Sequence, residues 1–298
     1  MSTTRNIPRR RFLALVASAL ALPGALANAA PARHVWRGVA LGADVELTVE
    51  GGDARDARAF FVKSEQALRM FERKFSLHTG SELTRLNALG RLAHPSGDML
   101  SLLQLAGRVN QATGGAFDPT VQPLWQARRL GRDETAASAL VGWQDVRVTP
   151  QEIRLARRGM ALTLNGIAQG AATDRLAALA ARHGLRDVLI DAGEIRALGP
   201  RDWRTRIEAP GGQPLRELAL RDRALATSAA LGTRIGPAGQ PHIMGPRGQA
   251  PQWALASVSA DSAALADALS TAAVLLDRAA IDEALARFPG TRLEALST

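Results

Sequence analysis

Three observations predict an α+β fold. Five stretches read as helices from their apolar spacing, and several shorter ones alternate as strands. The two kinds are interleaved without the strict alternation that builds a parallel sheet. The chain has 298 residues, 46% hydrophobic and 22% charged, enough for a substantial core.

Residues 1–29 read as a segment apart. "NIPRRRFLALVASALALPGALANAA" has a basic head, an apolar stretch from Phe12 to Leu22 and a small-residue end in which Ala27-Asn28-Ala29 fits an A-x-A cleavage site. Arg9, Arg10 and Arg11 followed by Phe12 and Leu13 resemble a twin-arginine export signal; a basic head for the general secretory route is the alternative. The expectation is a cleaved signal peptide (1–29) and a periplasmic remainder (30–298) forming one domain without a transmembrane anchor, since no later apolar run is long enough to cross a bilayer.

Within that remainder, "VELTV" (45–49) alternates as a strand. "DARAFFVKSEQALRMFERKF" (56–75) is a helix with Phe60, Phe61, Ala67, Leu68 and Phe71 as its buried stripe. "MLSLLQLAGRVNQATGG" (99–115) is a second helix, stopped by glycine. "DVRVT", "EIRLA" and "ALTLN" read as short strands broken by Thr-Pro and Arg-Gly turns. A third helix covers 167–184, and "RDVLIDAG" (186–193) is a buried strand. Residues 202–209 and 216–228 are expected to continue its sheet. The strand "WALASVSA" (253–260) runs into a helix over 261–276; a last helix (279–288) and a strand (291–296) follow.

Composition excludes several function classes. With no cysteine, there is no disulfide framework, thiolate metal site, cysteine nucleophile or lipoprotein anchor. The net charge of +9 falls to +5 once Arg5, Arg9, Arg10 and Arg11 of the leader are discounted, nine less four. The remaining arginines are scattered, and no basic run is interleaved with aromatics, which argues against nucleic acid as partner.

The 261–276 helix is apolar nearly all round and should be buried. Asp267, Ser270 and Thr271 lie at i, i+3 and i+4, on one face. A buried carboxylate needs a partner: a hard cation such as Mg²⁺ is one, an arginine another, and solvent exposure would remove the need. "TLNGIAQGAATD" (163–174) is a strand end, a glycine turn and a helix start, whose N–H groups could face an anion. "GQPHIMGPRG" (239–248) holds His242, an inert loop histidine or a general base. Asp191, Glu194 and Arg196 read as a salt-bridged turn, and Ser228 lacks a nucleophile-elbow context. "TGGAFDPTVQPLW" (113–125) ends a helix on paired glycines, but turn chemistry leaves its Phe117 and Asp118 unexplained.

Taken in order, "FERKFSLHTGSELTRLN" (71–87), "TGGAFDPTVQPLW" (113–125), "LNGIAQGAATDRLAALAARHG" (164–184), "PHIMGPRG" (241–248) and "ADALSTAAVLL" (266–276) resemble the ApbE family, the FAD:protein FMN transferases. The resemblance implies an ApbE-like, T-fold-related architecture with a flavin cleft. It also implies Mg²⁺-dependent transfer of FMN from FAD to a Thr or Ser hydroxyl of an acceptor flavoprotein, a subunit of a membrane redox complex, forming a phosphoester and releasing AMP. It places Leu41, His78, Ala116, Phe117, Asp118, Thr163, Gln169 and Ile243 at the FAD, Phe117 by packing and Asp118 by a hydrogen bond. Gly166, Asp267, Ser270 and Thr271 fall at the metal, and His242 falls where a base helps deprotonate the acceptor.

The chain departs from the family pattern in places. Thr163 stands where an acidic residue is usual, Gln169 for Lys or Glu, and Ala171 and His78 for Tyr. Leu41-Gly42-Ala43 replaces Met-Gly-Thr, Gly245 replaces an Asp, and Gly193-Glu194 stands for Gly-Gly-Asp. A lost charged hydrogen bond is worth about 1.5–3 kcal/mol and a lost aromatic stack about 0.5–1.5 kcal/mol. The expectation is therefore a divergent member with altered flavin contacts. The alternatives are a non-catalytic flavin-binding or maturation protein of the same fold, and a scaffold without ligand.

Overall fold

The computed structural model describes residues 31–78 and 80–298; the leader expected over 1–29 lies outside them. Strand β1 (Arg33–Ala40) opens a hairpin with β2 (Ala43–Glu50). Leu41 and Gly42 turn it with φ of 52° and 79°, the left-handed pair that a two-residue hairpin needs. Leu41 is held there by its N–H, which donates to Glu72 Oε1 at 2.8 Å. Helix α1 (Ala54–Phe75) starts on the Asp53 cap and buries Ala57, Phe60, Ser64, Leu68, Phe71 and Phe75, while Phe61 and Ala67 are only half-buried.

Helix α2 (Glu82–Leu89), closed by a Ser81–Thr84 capping box, leads to β3 (Arg91–Ala93). Then come α3 (Gly97–Ala112), α4 (Gln122–Arg129), α5 (Thr135–Ser138), β4 (Val146–Val148) and β5 (Glu152–Leu155). β3, β5 and β4 form a small antiparallel sheet. The expected strand "ALTLN" belongs to no sheet. Its main chain is held by Asn87, whose amide bonds both the N–H and the carbonyl of Leu162, and by Thr163 N–H donating to the Pro119 carbonyl.

Helix α6 (Ala168–Arg182) precedes β6 (Asp187–Asp191), β7 (Ile195–Leu198), β8 (Trp203–Glu208), β9 (Pro214–Leu220) and β10 (Ala224–Ala229). Two short strands follow, β11 (Arg234–Ile235) and β12 (Gln240–Pro241), then β13 (Leu255–Ala260), α7 (Ala263–Ala273), α8 (Arg278–Ala286) and β14 (Arg292–Ser297). The main sheet has seven strands in the order β1-β2-β6-β7-β10-β13-β14, every neighbouring pair antiparallel. The α+β expectation holds.

One face of that sheet carries the helices: α6 packs on α1 and α7, and α7 lies on β10 and β13. Alternation along each strand assigns the faces. Val188 and Ile190 of β6 enter the main core, whereas Leu189 faces the other way, with Leu225 and Leu255. There they meet Trp203, Ile207 and Leu220 of β8 and β9. Residues 202–209 and the first part of 216–228 therefore do not continue the sheet; β8 and β9 form a separate ribbon covering its second face, and only β10 joins it. No helix among the described residues is long and apolar enough to cross a membrane.

Candidate functional site

Helices α6 and α7 approach closely and exchange carboxylates. Asp174 of α6 accepts from Ser262 Oγ at 2.7 Å and from the N–H groups of Ala263 and Ala264 at 2.8 and 3.0 Å, capping α7. In return, Asp267 Oδ2 of α7 accepts from the Gly170 N–H in the first turn of α6 at 3.1 Å. Glycine at 170 permits this: a Cβ there would lie 2.3 Å from the Ala263 carbonyl oxygen.

Asp267 is only 3% exposed, so it neither faces solvent nor, among the described residues, pairs with an arginine. Burial pushes its pKa up to about 7, against the Gly170 hydrogen bond and with the help of the nearby Asp174 charge. One turn on, Ser270 and Thr271 present hydroxyls to Ser228 Oγ of β10, at 2.8 and 3.2 Å. Gly166 closes in from the α6 side: a Cβ there would lie 2.9 Å from Thr271 Oγ1. Thus the fold brings Gly166, Asp267, Ser270 and Thr271 together. Ser228, which the sequence left without a role, is their neighbour.

The donor set suits magnesium. A buried carboxylate with one hydrogen bond and no basic partner lies on a face of neutral hydroxyls, the hard oxygen environment that Mg²⁺ takes with water or phosphate oxygens completing its sphere. Among the described residues no three His, Cys, Asp or Glu side chains converge as a metal-binding set, so such a site leans on hydroxyl and main-chain oxygens.

A second carboxylate was missed by sequence reasoning. Glu194 sits in the turn between β6 and β7, where a salt bridge to Arg196 was expected. Arg196 instead reaches the Asp261 carbonyl and Asp222, at 3.8 Å from the latter. Glu194 is 7% exposed, and burial together with the Asp267 charge raises its pKa well above the ordinary value. Asp191 just before it is raised to about 6, by burial first and then by Glu46 and Asp44. The signal available in the sequence was an acidic residue directly after a turn glycine, at the end of an otherwise buried strand. Gln169 stands beside this turn, its amide 2.8 Å from where a Gly193 Cβ would be.

The "TGGAFDPTVQPLW" corner has a structural reason. Asn110 Nδ2 donates to the Phe117 carbonyl at 2.8 Å, and the ring enters the main core at 5% exposure. Asp118 Oδ1 accepts from the Thr120 N–H and hydroxyl at 2.8 and 2.6 Å, and Oδ2 from the Trp143 N–H at 3.2 Å. Burial raises the Asp118 pKa, against these bonds. Apolar burial accounts for the ring, and the turn's hydrogen bonds account for the carboxylate. Ala116 is half-buried beside them, and Thr163 joins the corner through the Pro119 carbonyl.

Helix α4, which follows the corner, holds the His242 loop. Trp125 Nε1 donates to the His242 carbonyl at 3.1 Å, and Arg128, buried and paired with Glu134, donates to the Gly248 carbonyl at 3.2 Å. His242 Nδ1 lies 3.0 and 3.2 Å from the carbonyls of Thr233 and Ala230. Carbonyls only accept, so Nδ1 carries the proton and Nε2 keeps its lone pair. Burial lowers the His242 pKa, partly offset by those two bonds, and favours the neutral ring. Ile243 is half-buried against Ala273, Val274 and Ile281. Leu41 and His78 are tied elsewhere: Leu41 to Glu72, while the exposed His78 donates its N–H to Ser76 Oγ.

The architecture is that of the solved flavin transferases. Flavin transferase ApbE from Vibrio cholerae superposes with a TM-score of 0.75 at 21% identity, over 90% of this chain and 98% of that one. The ApbE protein from Thermotoga maritima gives 0.78 at 23% identity, over 88% and 93%. The sequence model of the ApbE family matches residues 41–296, and the chain belongs to that family. It is 28% identical to a FAD:protein FMN transferase of Rhodobacter capsulatus over 90% of this chain, but spans only 56% of that relative's length. A FAD:protein FMN transferase of Treponema pallidum is also 28% identical, over 70% of this chain and 69% of its own.

Proposed function

We propose that this chain is a FAD:protein FMN transferase. It would move the FMN half of FAD onto a Thr or Ser hydroxyl of an acceptor flavoprotein, with Mg²⁺, forming a phosphoester and releasing AMP. The observation that carries the reading is the buried Asp267, unmatched by any basic group among the described residues, on the hydroxyl face of α7. Asp267 and Thr271, with the Gly166 main chain, would hold the ion, Ser270 and Ser228 bracing them. The ion would supply charge neutralisation at the pyrophosphate. His242 Nε2 takes the proton of the acceptor hydroxyl as that oxygen bonds to the FMN phosphorus and the bond to AMP breaks. Fixing Nδ1 by two carbonyls orients the ring for this before substrate arrives.

The acceptor would be a subunit of a membrane redox complex, and the leader read in residues 1–29 supports an encounter in the periplasm. Incubating the protein with FAD, Mg²⁺ and a Thr-bearing acceptor tests the reading: the acceptor should gain the mass of one FMN. Flavin bound without such a gain would leave a carrier of the same fold instead.

The pH profile follows from the two shifted groups. At saturating Mg²⁺ the acid limb of kcat/KM should lie below the ordinary His value of 6.5, because burial depresses His242. At limiting Mg²⁺ the limb should climb toward 7, where protons compete for Asp267. A limb that ignores Mg²⁺ would contradict the assignment of Asp267.

Trp125→Phe removes the anchor on the His242 carbonyl and keeps most of the ring's packing. One neutral hydrogen bond is worth about 1 kcal/mol. Transfer should fall about 5- to 10-fold in kcat, with little change in FAD affinity or melting temperature; steady-state kinetics would show it.

A further inference from the structure

Glu194 has a carboxylate whose surroundings do not account for its burial. One side is held by the main-chain N–H of Thr227. That donor is free because β7 pairs with β10 only at Ala224 and Leu225, so β10 runs on past the end of its neighbour. The other oxygen, Oε2, is buried and has no hydrogen-bond partner among the described residues. The charged groups that act on Glu194 are all acidic: Asp267 most strongly, then Asp191.

Position along β10 says where this carboxylate lies. Its donor, Thr227, is the immediate neighbour of Ser228, whose hydroxyl touches Ser270 and Thr271. The Glu194 main chain is pinned as well, its carbonyl accepting from Thr173 Oγ1 of α6 at 3.3 Å. Glu194 is therefore fixed at both ends beside the α7 face that carries Asp267. A buried carboxylate with an unpartnered oxygen, acted on by the charge of a second buried carboxylate and, among the described residues, paired with no arginine or lysine, is arranged for a cation.

We propose that Glu194 is the second carboxylate of the magnesium site, facing Asp267 across the ion. The inference rests on the metal reading above. It adds a ligand contributed by the sheet, from the β6–β7 turn, to those contributed by the helices.

The test uses the full chain without flavin, titrated with Mn²⁺ as a stand-in of similar oxygen preference, with free Mn²⁺ read by its paramagnetic resonance signal. Wild-type protein should bind the ion, and Asp267→Asn should lose it. Glu194→Gln should weaken binding by about 10- to 100-fold, the range seen when a group supporting a metal is removed. Its metal-free melting temperature at pH 8 should equal or exceed that of wild type, since an unpaired buried charge is gone; a merely structural Glu194 would melt lower. Should Glu194→Gln fail to fold, Glu194→Asp, which keeps the charge on a shorter arm, carries the same comparison. Affinity within about twofold of wild type in the Glu194 variant, with Asp267→Asn dead, overturns this inference and leaves the Asp267 reading intact. No Mn²⁺ binding by wild type overturns both.

Discussion

Asp267→Asn is expected to abolish Mg²⁺-dependent FMN transfer while leaving a folded protein, more stable than wild type in metal-free buffer at pH 8. The side-chain shape is kept, and the amide oxygen can still accept from the Gly170 N–H. What goes is the α7 carboxylate beside Ser270 and Thr271, so transfer should fall by more than about 10³-fold, about 4 kcal/mol of barrier. The stability effect follows from the raised pKa. The contribution of protonated Asp267 is fully present below the unfolded value of 3.8 and is lost as pH rises to about 7. At about 1.4 kcal/mol per pH unit, the wild type should lose a few kcal/mol over that window. Glu194 and Asp191, also raised, act in the same direction. His242, whose pKa is lowered, acts in the opposite one, contributing stability that returns as pH rises toward 6.5. Urea midpoints at pH 5, 6, 7 and 8 should therefore fall for the metal-free wild type and fall less for Asp267→Asn. Added Mg²⁺ should restore the wild type alone at pH 8. Full transfer activity in Asp267→Asn would remove the metal from this face.

Features set by a local period were readable from residues alone. The 56–75 and 261–276 helices appear within a few residues of expectation because apolar spacing reports the buried face directly. The grouping of Asp267, Ser270 and Thr271 was legible for the same reason. Pairing partners were not. Residues 202–209 alternate properly, yet alternation says nothing about which sheet a strand joins, and Trp203 and Ile207 found the second face of the sheet. "ALTLN" alternates too, but its main-chain groups are claimed by Asn87 and the Pro119 carbonyl. Glu194 was misread because an Arg two residues away offers an obvious local partner, whereas its real neighbours come from β10 and α7, far along the chain. Phe117 and Asp118, which turn chemistry left unexplained, find their structural place only in the tertiary fold, the ring in the main core and the carboxylate bonded to Thr120.

Gly170→Ala should damage fold and site together, against the usual rule that Ala in place of Gly stabilises a helix by about 0.5–1 kcal/mol. The added Cβ would meet the Ala263 carbonyl oxygen at 2.3 Å, its carbon at 2.5 Å and Ala264 Cα at 2.7 Å. All three are main-chain atoms, so no side chain can swing aside and α6 must part from α7. That separation strains the Asp174 cap on α7 and the Gly170 hydrogen bond to Asp267 at once. Overpacking of this kind costs about 3 kcal/mol, a drop in melting temperature of roughly 6–12 °C for a chain this size. Transfer should be lost even where the protein remains folded. Gly166→Ala is the control. Its Cβ would meet only side-chain atoms of Thr271, Oγ1 at 2.9 Å and Cγ2 at 3.0 Å, and a side chain can give where main chain cannot. The melting temperature should then hold within about 2 °C while transfer falls, because the hydroxyl has been displaced from its place beside Ser228. Equal melting losses in both variants would mean that the α6–α7 contact carries no special weight. Unchanged activity in Gly166→Ala would mean that the reaction does not use the Thr271 hydroxyl.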